Sequence, residues 1–145
     1  MTQRLFITGT DTDAGKTHVC VGLLAAAARQ DLRSMGVKPI SAGAEMIDGK
    51  LRNDDAMKIQ AASSVSLHYE QVNPVVFEPA IAPHIAAAKE NKIITVTRLE
   101  GFVRPELSND WIMVTIDTMI YSGWWLISEG KCTAQQAANQ AIITL

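Results

Sequence analysis

The sequence predicts an α/β protein with a parallel sheet and helices on both faces of that sheet. Residues 5–8 form a short, nearly continuous apolar run, which is typical of a parallel strand buried on both sides. From Thr17 onward, apolar side chains recur at the spacing of a helix. Further apolar runs then alternate with helical patterns, and this alternation implies crossover connections between parallel strands.

The first helix is predicted from an apolar stripe and a run of good helix formers. The stripe has the i, i+3, i+4, i+7 spacing and consists of Cys20, Leu23, Leu24 and Ala27. Four consecutive alanines at residues 25–28 favour a helix further. The polar residues 31–34 are predicted to end it.

A second strand is predicted at residues 35–38, and Pro39 ends it because proline cannot donate to a sheet. Residues 41–52 contain two glycines and no clear period, so we expect a loop there. Asn53 or Asp54 is a suitable N-cap for a second helix, which is predicted to run to about residue 62.

The remaining elements are predicted with weaker patterns. Residues 63–78 read as extended chain bounded by prolines, and Pro83 is well suited to the first position of a short helix. A further helix is predicted at residues 96–107, a third strand at residues 111–114, and a short helix at residues 133–143.

Composition predicts one folded domain, residues 1–145, rather than a disordered chain. Of the 145 residues, 48% are hydrophobic and 19% are charged, which is enough apolar material for a single core. The formal net charge is -2 with both signs interspersed, so no basic field points to a nucleic-acid partner.

Localisation is predicted to be cytoplasmic, without a membrane partner. The longest apolar run, residues 19–28, is about half of what a membrane span needs. The N-terminus carries no signal-peptide pattern. Cys20 and Cys132 lie far apart and outside any CxxC pair, which suits a reducing compartment and does not predict zinc.

The loop after the first strand, "GTDTDAGKT" at residues 9–17, predicts a phosphate site. In this architecture ligands bind at the carboxyl edge of the sheet, and the following helix presents free N–H groups there. Gly15 lets the backbone approach a phosphate closely, Lys16 supplies a cation for the β- and γ-phosphates, and Thr17 supplies a hydroxyl for Mg²⁺. A purely structural turn would require neither the lysine nor the hydroxyl.

The spacing of this loop differs slightly from G-x-x-x-x-G-K-[ST], since Gly9 lies one residue early and Thr10 occupies the first-glycine position. The order strand, Gly-Lys-Thr and helix is nevertheless kept. The sequence therefore predicts a variant phosphate loop and a phosphate-loop NTPase-like fold.

Five segments, in order and with compatible spacing, resemble the dethiobiotin synthetase family of ATP-dependent ligases, which act late in biotin synthesis. The segments are "FITGTDTDAGKT", "GVKPISAG", "LRNDDA", "VNPVVFEP" and "PHIAAA". The resemblance covers residues 1–114. The first segment alone also fits partition ATPases and cobyrinate-type amidotransferases, whereas the full set is more specific.

The resemblance implies a reaction with three small-molecule substrates: 7,8-diaminononanoate, CO2 and ATP. One amine of the diamine is carbamylated, and the carbamate attacks the γ-phosphate of ATP to form a mixed anhydride. The second amine then closes the ureido ring and expels phosphate. Because each intermediate is anionic, such a site needs cations more than a strong general base.

The resemblance also implies roles for individual residues. Lys38 would hold the carbamate and the transferred phosphoryl group, and Lys16 would act beside it as a second catalytic cation. Asp55 would ligate Mg²⁺ together with Thr17 and would contact the nucleotide.

Further contacts are implied around these residues. The nucleotide would also contact Asp13, Ala14 and Gly15, although Asp13 stands where the family often has the longer glutamate. Substrate contacts are implied for Thr12, and for Ser41 or Ala42, because Ala42 takes the place of a small hydroxyl residue.

The chain departs from the family pattern after residue 114. Thr115 stands where the family has a glutamate, and "IDTMIY" stands where it has a glycine-rich turn. We therefore expect residues 115–145 to form a divergent tail, the sheet to be incomplete at its C-terminal end, and the ligase activity to be low. An unpaired strand edge predicts self-association, beside the homodimer that the family implies. Two alternatives stay open: a non-catalytic nucleotide-binding remnant, and a partition-type ATPase switch.

Overall fold

The computed structural model describes residues 3–7, 15–94 and 111–116. The strands are β1 (Gln3–Ile7), β2 (Arg33–Val37), β3 (Ile40–Ser41), β4 (Glu45–Ile47), β5 (Lys50–Arg52), β6 (Val75–Val76) and β7 (Trp111–Ile116). The helices are α1 (Lys16–Ala28), α2 (Asp54–Ala62), α3 (Tyr69–Val72) and α4 (Pro83–Lys89). Within these residues no helix is long and apolar enough to cross a membrane.

The main sheet is parallel, with β7 between β1 and β2. Val114 of β7 is in register with Leu5 on one side and Gly36 on the other. The predicted α/β class with a parallel sheet is therefore confirmed. The last described strand occupies the middle of the sheet, and the carboxyl ends of all three strands lie at one edge because both pairings are parallel.

Strand β2 is buried on both faces, as the continuous apolar patterns of parallel strands require. Met35 and Val37 are buried on one face, and Ser34 and Gly36 on the other. Helices α1 and α2 both pack over the face that bears Gly36. A Cβ atom at Gly36 would lie 2.9 Å from Cδ1 of Leu24 in α1 and 2.3 Å from Cγ2 of Ile59 in α2. Only glycine allows the two helices to approach the strand this closely.

The outer edge of β2 is closed by the segment that follows α2. The N–H groups of Ser34 and Gly36 donate to the hydroxyls of Ser64 and Ser63, at 2.8 and 3.0 Å. The next alternate N–H group, that of Lys38, donates to the carbonyl of Val72 at 2.7 Å. These bonds satisfy the backbone donors that an edge strand would otherwise present to another chain.

Two regions differ from the sequence-based expectation. The predicted loop at residues 41–52 contains a β4–β5 hairpin, whose turn has positive φ at Asp48 and Gly49 (50° and 75°). These angles suit a two-residue turn whose twist matches the strands. The stretch 63–78, expected to be extended, contains the four-residue helix α3 and then β6, which pairs in parallel with β3.

Strand β2 begins two residues before the predicted strand at 35–38, and the two-residue strand β3 was not predicted, whereas the remaining described elements lie close to their predictions. Helix α2 begins after Asn53, whose side chain accepts a hydrogen bond from the N–H of Ala56. Helix α4 starts at Pro83, and β7 extends two residues beyond the predicted strand at 111–114. The predicted helices at 96–107 and 133–143 lie outside the described residues, as does the expected tail beyond residue 116.

Candidate functional site

The first component of the site is the start of α1. Gly15 precedes the helix with φ 86° and ψ 9°, in the left-handed region that glycine adopts most readily. The first turn contains Lys16 and Thr17 and no acidic residue. It therefore presents backbone N–H groups and the positive end of the helix dipole, an arrangement that suits an anion.

The second component is an ion pair between β2 and α2. The Nζ atom of Lys38, which directly follows β2, donates to Oδ2 of Asp55 at 2.9 Å. The side chain of Lys38 is 10% exposed, whereas that of Asp55 is 40% exposed. The lysine is thus largely buried, while the carboxylate opens to solvent.

The surroundings of Asp55 keep it ionised. Burial raises the pKa of Asp55, but the hydrogen bond and charge of Lys38 oppose burial, together with the Thr17 hydroxyl and the charge of Lys58. The net effect places the pKa of this carboxyl below its ordinary value. An ionised carboxylate beside a hydroxyl supplies the hard oxygen ligands that Mg²⁺ prefers.

These two components face the same cleft, which has a volume of about 350 Å³ and lies at the carboxyl edge of the sheet. The cleft is lined by Gly15, Lys16, Thr17, His18, Val21, Lys38, Asp55 and Lys58. Three lysines and one aspartate give this wall a positive balance. The volume falls in the range of small-molecule sites, and the charge suits a polyphosphate.

The structure thus brings together five of the residues that the sequence singled out. They are Gly15, Lys16, Thr17, Lys38 and Asp55. Thr12, Asp13 and Ala14 lie outside the described residues. The remaining two, Ser41 and Ala42, lie just beyond Lys38, but neither is among the described residues that line the cleft.

Ser41 has a structural partner that the sequence did not indicate. Its hydroxyl is buried and donates to Oδ1 of Asn73 at 2.6 Å. The same Oδ1 atom accepts the hydroxyl of Tyr69 at 2.8 Å, and that hydroxyl accepts the N–H of Asn53 at 2.7 Å. Burial is the main cause that raises the pKa of Tyr69, so the phenol keeps the proton that it donates to Asn73.

Lys58 is a cleft residue that sequence reasoning missed. It lies one turn after Asp55 on α2, and its ammonium group contacts Oδ2 of Asp54 at 2.5 Å. Its side chain is mostly exposed. From the sequence, the i, i+4 spacing from Asp54 indicates only a surface ion pair. The structure shows that Lys58 faces the cleft, on the same side of α2 as Asp55.

Sequence comparisons agree with the geometry. The family described as "AAA domain" matches residues 3–139, which is most of the chain and continues past residue 114. Similar curated proteins are named ATP-dependent dethiobiotin synthetase. One from Cellvibrio japonicus is 55% identical over 102 residues, covering 70% of this chain and 45% of the relative.

Two further relatives carry the same name. The protein from Yersinia pestis bv. Antiqua is 49% identical over 115 residues, covering 79% of this chain and 48% of the relative. The protein from Pseudomonas aeruginosa is 40% identical over 126 residues, covering 87% and 54%. The chain spans about half the length of the curated relatives it matches. It belongs to the AAA domain family, and its resemblance to the dethiobiotin synthetases is confirmed.

Proposed function

We propose that this chain carries the nucleotide and carbamate site of an ATP- and Mg²⁺-dependent ligase. The ligase would form the ureido ring of dethiobiotin from 7,8-diaminononanoate and CO2. The observation that carries this proposal is the shared cleft, in which the Gly15–Lys16–Thr17 turn faces the Lys38–Asp55 pair. Phosphate binding alone would require only the turn. A second cation from another strand, held by a carboxylate, supplies a place for a second anion.

The roles of the two lysines follow from their positions. Lys16, in the first turn of α1, binds the β- and γ-phosphates together with the backbone N–H groups of that turn. Lys38 stands across the cleft, where it binds the carbamate and stabilises the charge that develops as the phosphoryl group is transferred. Because Lys38 is largely buried, little reorganisation of water accompanies this step.

The donor set at the cleft fits Mg²⁺. The Thr17 hydroxyl helps to lower the pKa of Asp55, and both residues line the cleft, where the carboxylate is partly exposed. These two residues would hold the ion, and the ion would supply neutralisation of the phosphate charge. Asp55 then has two functions, since it also fixes the ammonium group of Lys38.

The oligomeric state and location belong to the same proposal. We place the protein in the cytoplasm, where ATP is available, and we expect it to work as a homodimer without nucleic-acid or membrane partners. Met46 and Ile47, at the end of β4, are 62% and 39% exposed. Exposed apolar side chains are one surface that a second copy could cover, and sedimentation at micromolar concentration measures whether the chain self-associates.

A second candidate is a nucleotide-binding module without ligase turnover. Thr115 lies in β7, in register with Val37 of β2, and thus at the same edge as Lys38. The family resemblance implies a glutamate at this position, and threonine cannot supply its charge. The partition-type ATPase is not favoured, because the relatives reported above are all synthetases.

One assay distinguishes these candidates. The chain is incubated with diaminononanoate, bicarbonate, Mg²⁺ and ATP, dethiobiotin is detected by mass, and nucleotide binding is measured in parallel by calorimetry. Dethiobiotin above the level of a Lys16→Ala control supports the ligase. Binding without product supports the second candidate, and the absence of both contradicts the site itself.

A further inference from the structure

The structure assigns a positioning role to Tyr69 and Asn73: through buried hydrogen bonds they hold Lys38 and Asp55 in contact with each other at the cleft. This inference rests on the proposed function only in treating that pair as the reactive one. Neither residue lines the described part of the cleft. Tyr69 is 6% exposed and Asn73 is 1% exposed, so they act through other residues.

Asn73 fixes the main chain at Lys38. Its Nδ2 atom donates to the carbonyl oxygen of Lys38 at 2.6 Å, while the carbonyl of Val72 accepts the N–H of Lys38 at 2.7 Å. Both backbone polar groups of Lys38 are therefore bonded to consecutive residues at the end of α3. Its side chain then leaves a main chain that has little freedom to rotate.

Tyr69 connects this anchor to the helix that bears Asp55. Its hydroxyl donates to Oδ1 of Asn73 and accepts the N–H of Asn53, the N-cap of α2. Asp55 is the second residue of that helix. A continuous path thus runs from the backbone of Lys38, through two side chains, to the start of α2.

Both polar atoms of the Asn73 side chain are hydrogen-bonded. Oδ1 of Asn73 accepts both the Ser41 and Tyr69 hydroxyls, and Nδ2 donates to the carbonyl of Lys38. Among the described residues no buried side-chain polar atom lacks a partner. In a fully bonded, buried network each bond restricts the others, so the network specifies one arrangement of its members. The arrangement that it specifies is the 2.9 Å contact between Lys38 and Asp55.

The test uses the chemical reactivity of Lys38, which requires neither nucleotide nor turnover. Acetylation of Lys38 by a water-soluble N-hydroxysuccinimide ester is followed by peptide mass spectrometry. The acetylation rate of the exposed Lys50 serves as the internal reference for the activity of the reagent. Alkylation of Cys20 by iodoacetamide is followed in parallel. Cys20 is fully buried, and burial raises the pKa of its thiol to about 12 against the opposing charge of Lys38, so its alkylation reports opening of the core.

Tyr69→Phe is the principal variant, because it removes one hydroxyl and keeps the ring that packs in the core. Asn73→Ala is the second, and Tyr69→Phe decides alone if Asn73→Ala does not fold. Ser63→Ala is the matched control, since it also deprives a buried backbone N–H of β2, that of Gly36, of its hydroxyl partner. That bond lies outside the path from Lys38 to Asp55.

We expect Tyr69→Phe to raise the acetylation rate of Lys38 several-fold relative to Lys50, with Cys20 as protected as in the unchanged chain. Ser63→Ala should leave the rate at Lys38 unchanged. An unchanged rate in Tyr69→Phe overturns the inference. The inference is also overturned if the alkylation rate of Cys20 rises as much as the acetylation rate of Lys38, or if Ser63→Ala raises the rate at Lys38 equally. In either case Tyr69 contributes to general stability and not to the position of Lys38. A chain without ligase activity gives the same readout, so failure of the proposed function remains distinguishable.

Discussion

Lys38 and Asp55 are 17 positions apart in the chain, yet the ammonium nitrogen of one lies 2.9 Å from a carboxylate oxygen of the other. The lysine ends a buried strand and the aspartate begins a helix, so the contact exists only when the two elements are docked. A buried lysine requires such a partner, because an unpaired charge is costly at low dielectric. The same contact leaves the aspartate partly exposed in the cleft, where a metal or nucleotide can reach it.

Replacing Lys16 by alanine should weaken the binding of ATP–Mg²⁺ or of phosphate. The change removes a charge-assisted hydrogen bond worth roughly 1.5–3 kcal/mol. Isothermal calorimetry measures the affinity. Lys50→Ala is the matched control, because Lys50 is an exposed lysine on β5 outside the cleft wall. Equal affinities of the Lys16 variant and the unchanged chain would contradict the phosphate site.

Replacing Lys38 by alanine should lower turnover much more than nucleotide affinity. Loss of one group that stabilises developing charge typically lowers kcat by about 10²-fold or more, and the contacts of Lys16 to the phosphates stay intact. Dethiobiotin formation gives kcat, and calorimetry gives the affinity for ATP. Lys58→Ala is a control within the same cleft, with a smaller effect on kcat expected. Normal turnover of the Lys38 variant would remove this residue from the mechanism.

The ion pair should make stability depend on pH in acid. The pKa of Asp55 is lower in the folded chain than its ordinary value of 3.8, so folding favours the deprotonated carboxylate. Its contribution is therefore complete above the ordinary pKa and is lost as the pH falls through the lower, folded value. Urea unfolding of the unchanged chain and of Asp55→Asn, from about pH 7 to about pH 3, measures the difference between them.

We expect that difference in unfolding free energy to narrow as the pH falls below 3.8. The same comparison in a Lys38→Ala background isolates the pair, as in a double-mutant cycle. There the narrowing should be reduced, because Lys38 is the main group that lowers the pKa of Asp55. A difference that is constant with pH would show that the carboxylate does not depend on this partner.

Gly36→Ala should destabilise the fold by about 1–3 kcal/mol, the typical cost of overpacking a core. The added methyl group would meet Ile59 and Leu24 at distances below any real contact, so these two side chains, or the helices that bear them, must shift. Gly22→Ala is the matched control, since a Cβ there meets no atom within 4 Å and the position is helical. It should stabilise by up to about 1 kcal/mol. Denaturant unfolding measures both, and equal effects would contradict the packing argument.

The cleft residues that can be predicted from the sequence alone are those whose neighbours in the chain already define their role. Gly15, Lys16 and Thr17 follow a buried strand and begin a helix, and that order alone predicts an anion site. Lys38 and Asp55 were assigned through motif resemblance, because a lysine after a strand and an acid in the first turn of a helix are common on protein surfaces. Their pairing depends on how α2 docks against β2, which the local pattern does not contain.

The features that the sequence did not reveal depend on contacts between distant segments or on very short elements. The buried Asn73 is hydrogen-bonded to Ser41 and Lys38, which lie 32 and 35 positions earlier in the chain, and nothing near Asn73 in the sequence indicates these partners. Helix α3 has only four residues, too few for a helical period. The β4–β5 hairpin did have a signal, since Asp48–Gly49 is a favoured two-residue turn between short apolar runs. The single domain at residues 1–145 remains a prediction.

The closed edge of β2 links the slow opening of the sheet to one short segment of chain. The amide protons of Ser34 and Gly36 are held by Ser64 and Ser63, and that of Lys38 by Val72. The amides of Ser34 and Gly36 can exchange with solvent deuterium only when the segment between α2 and α3 detaches, so these two should exchange together as one cooperative unit. The amide of Lys38, which Val72 of α3 holds, should exchange in a separate event, so the reactive lysine would keep its place while the first part of the strand edge opens.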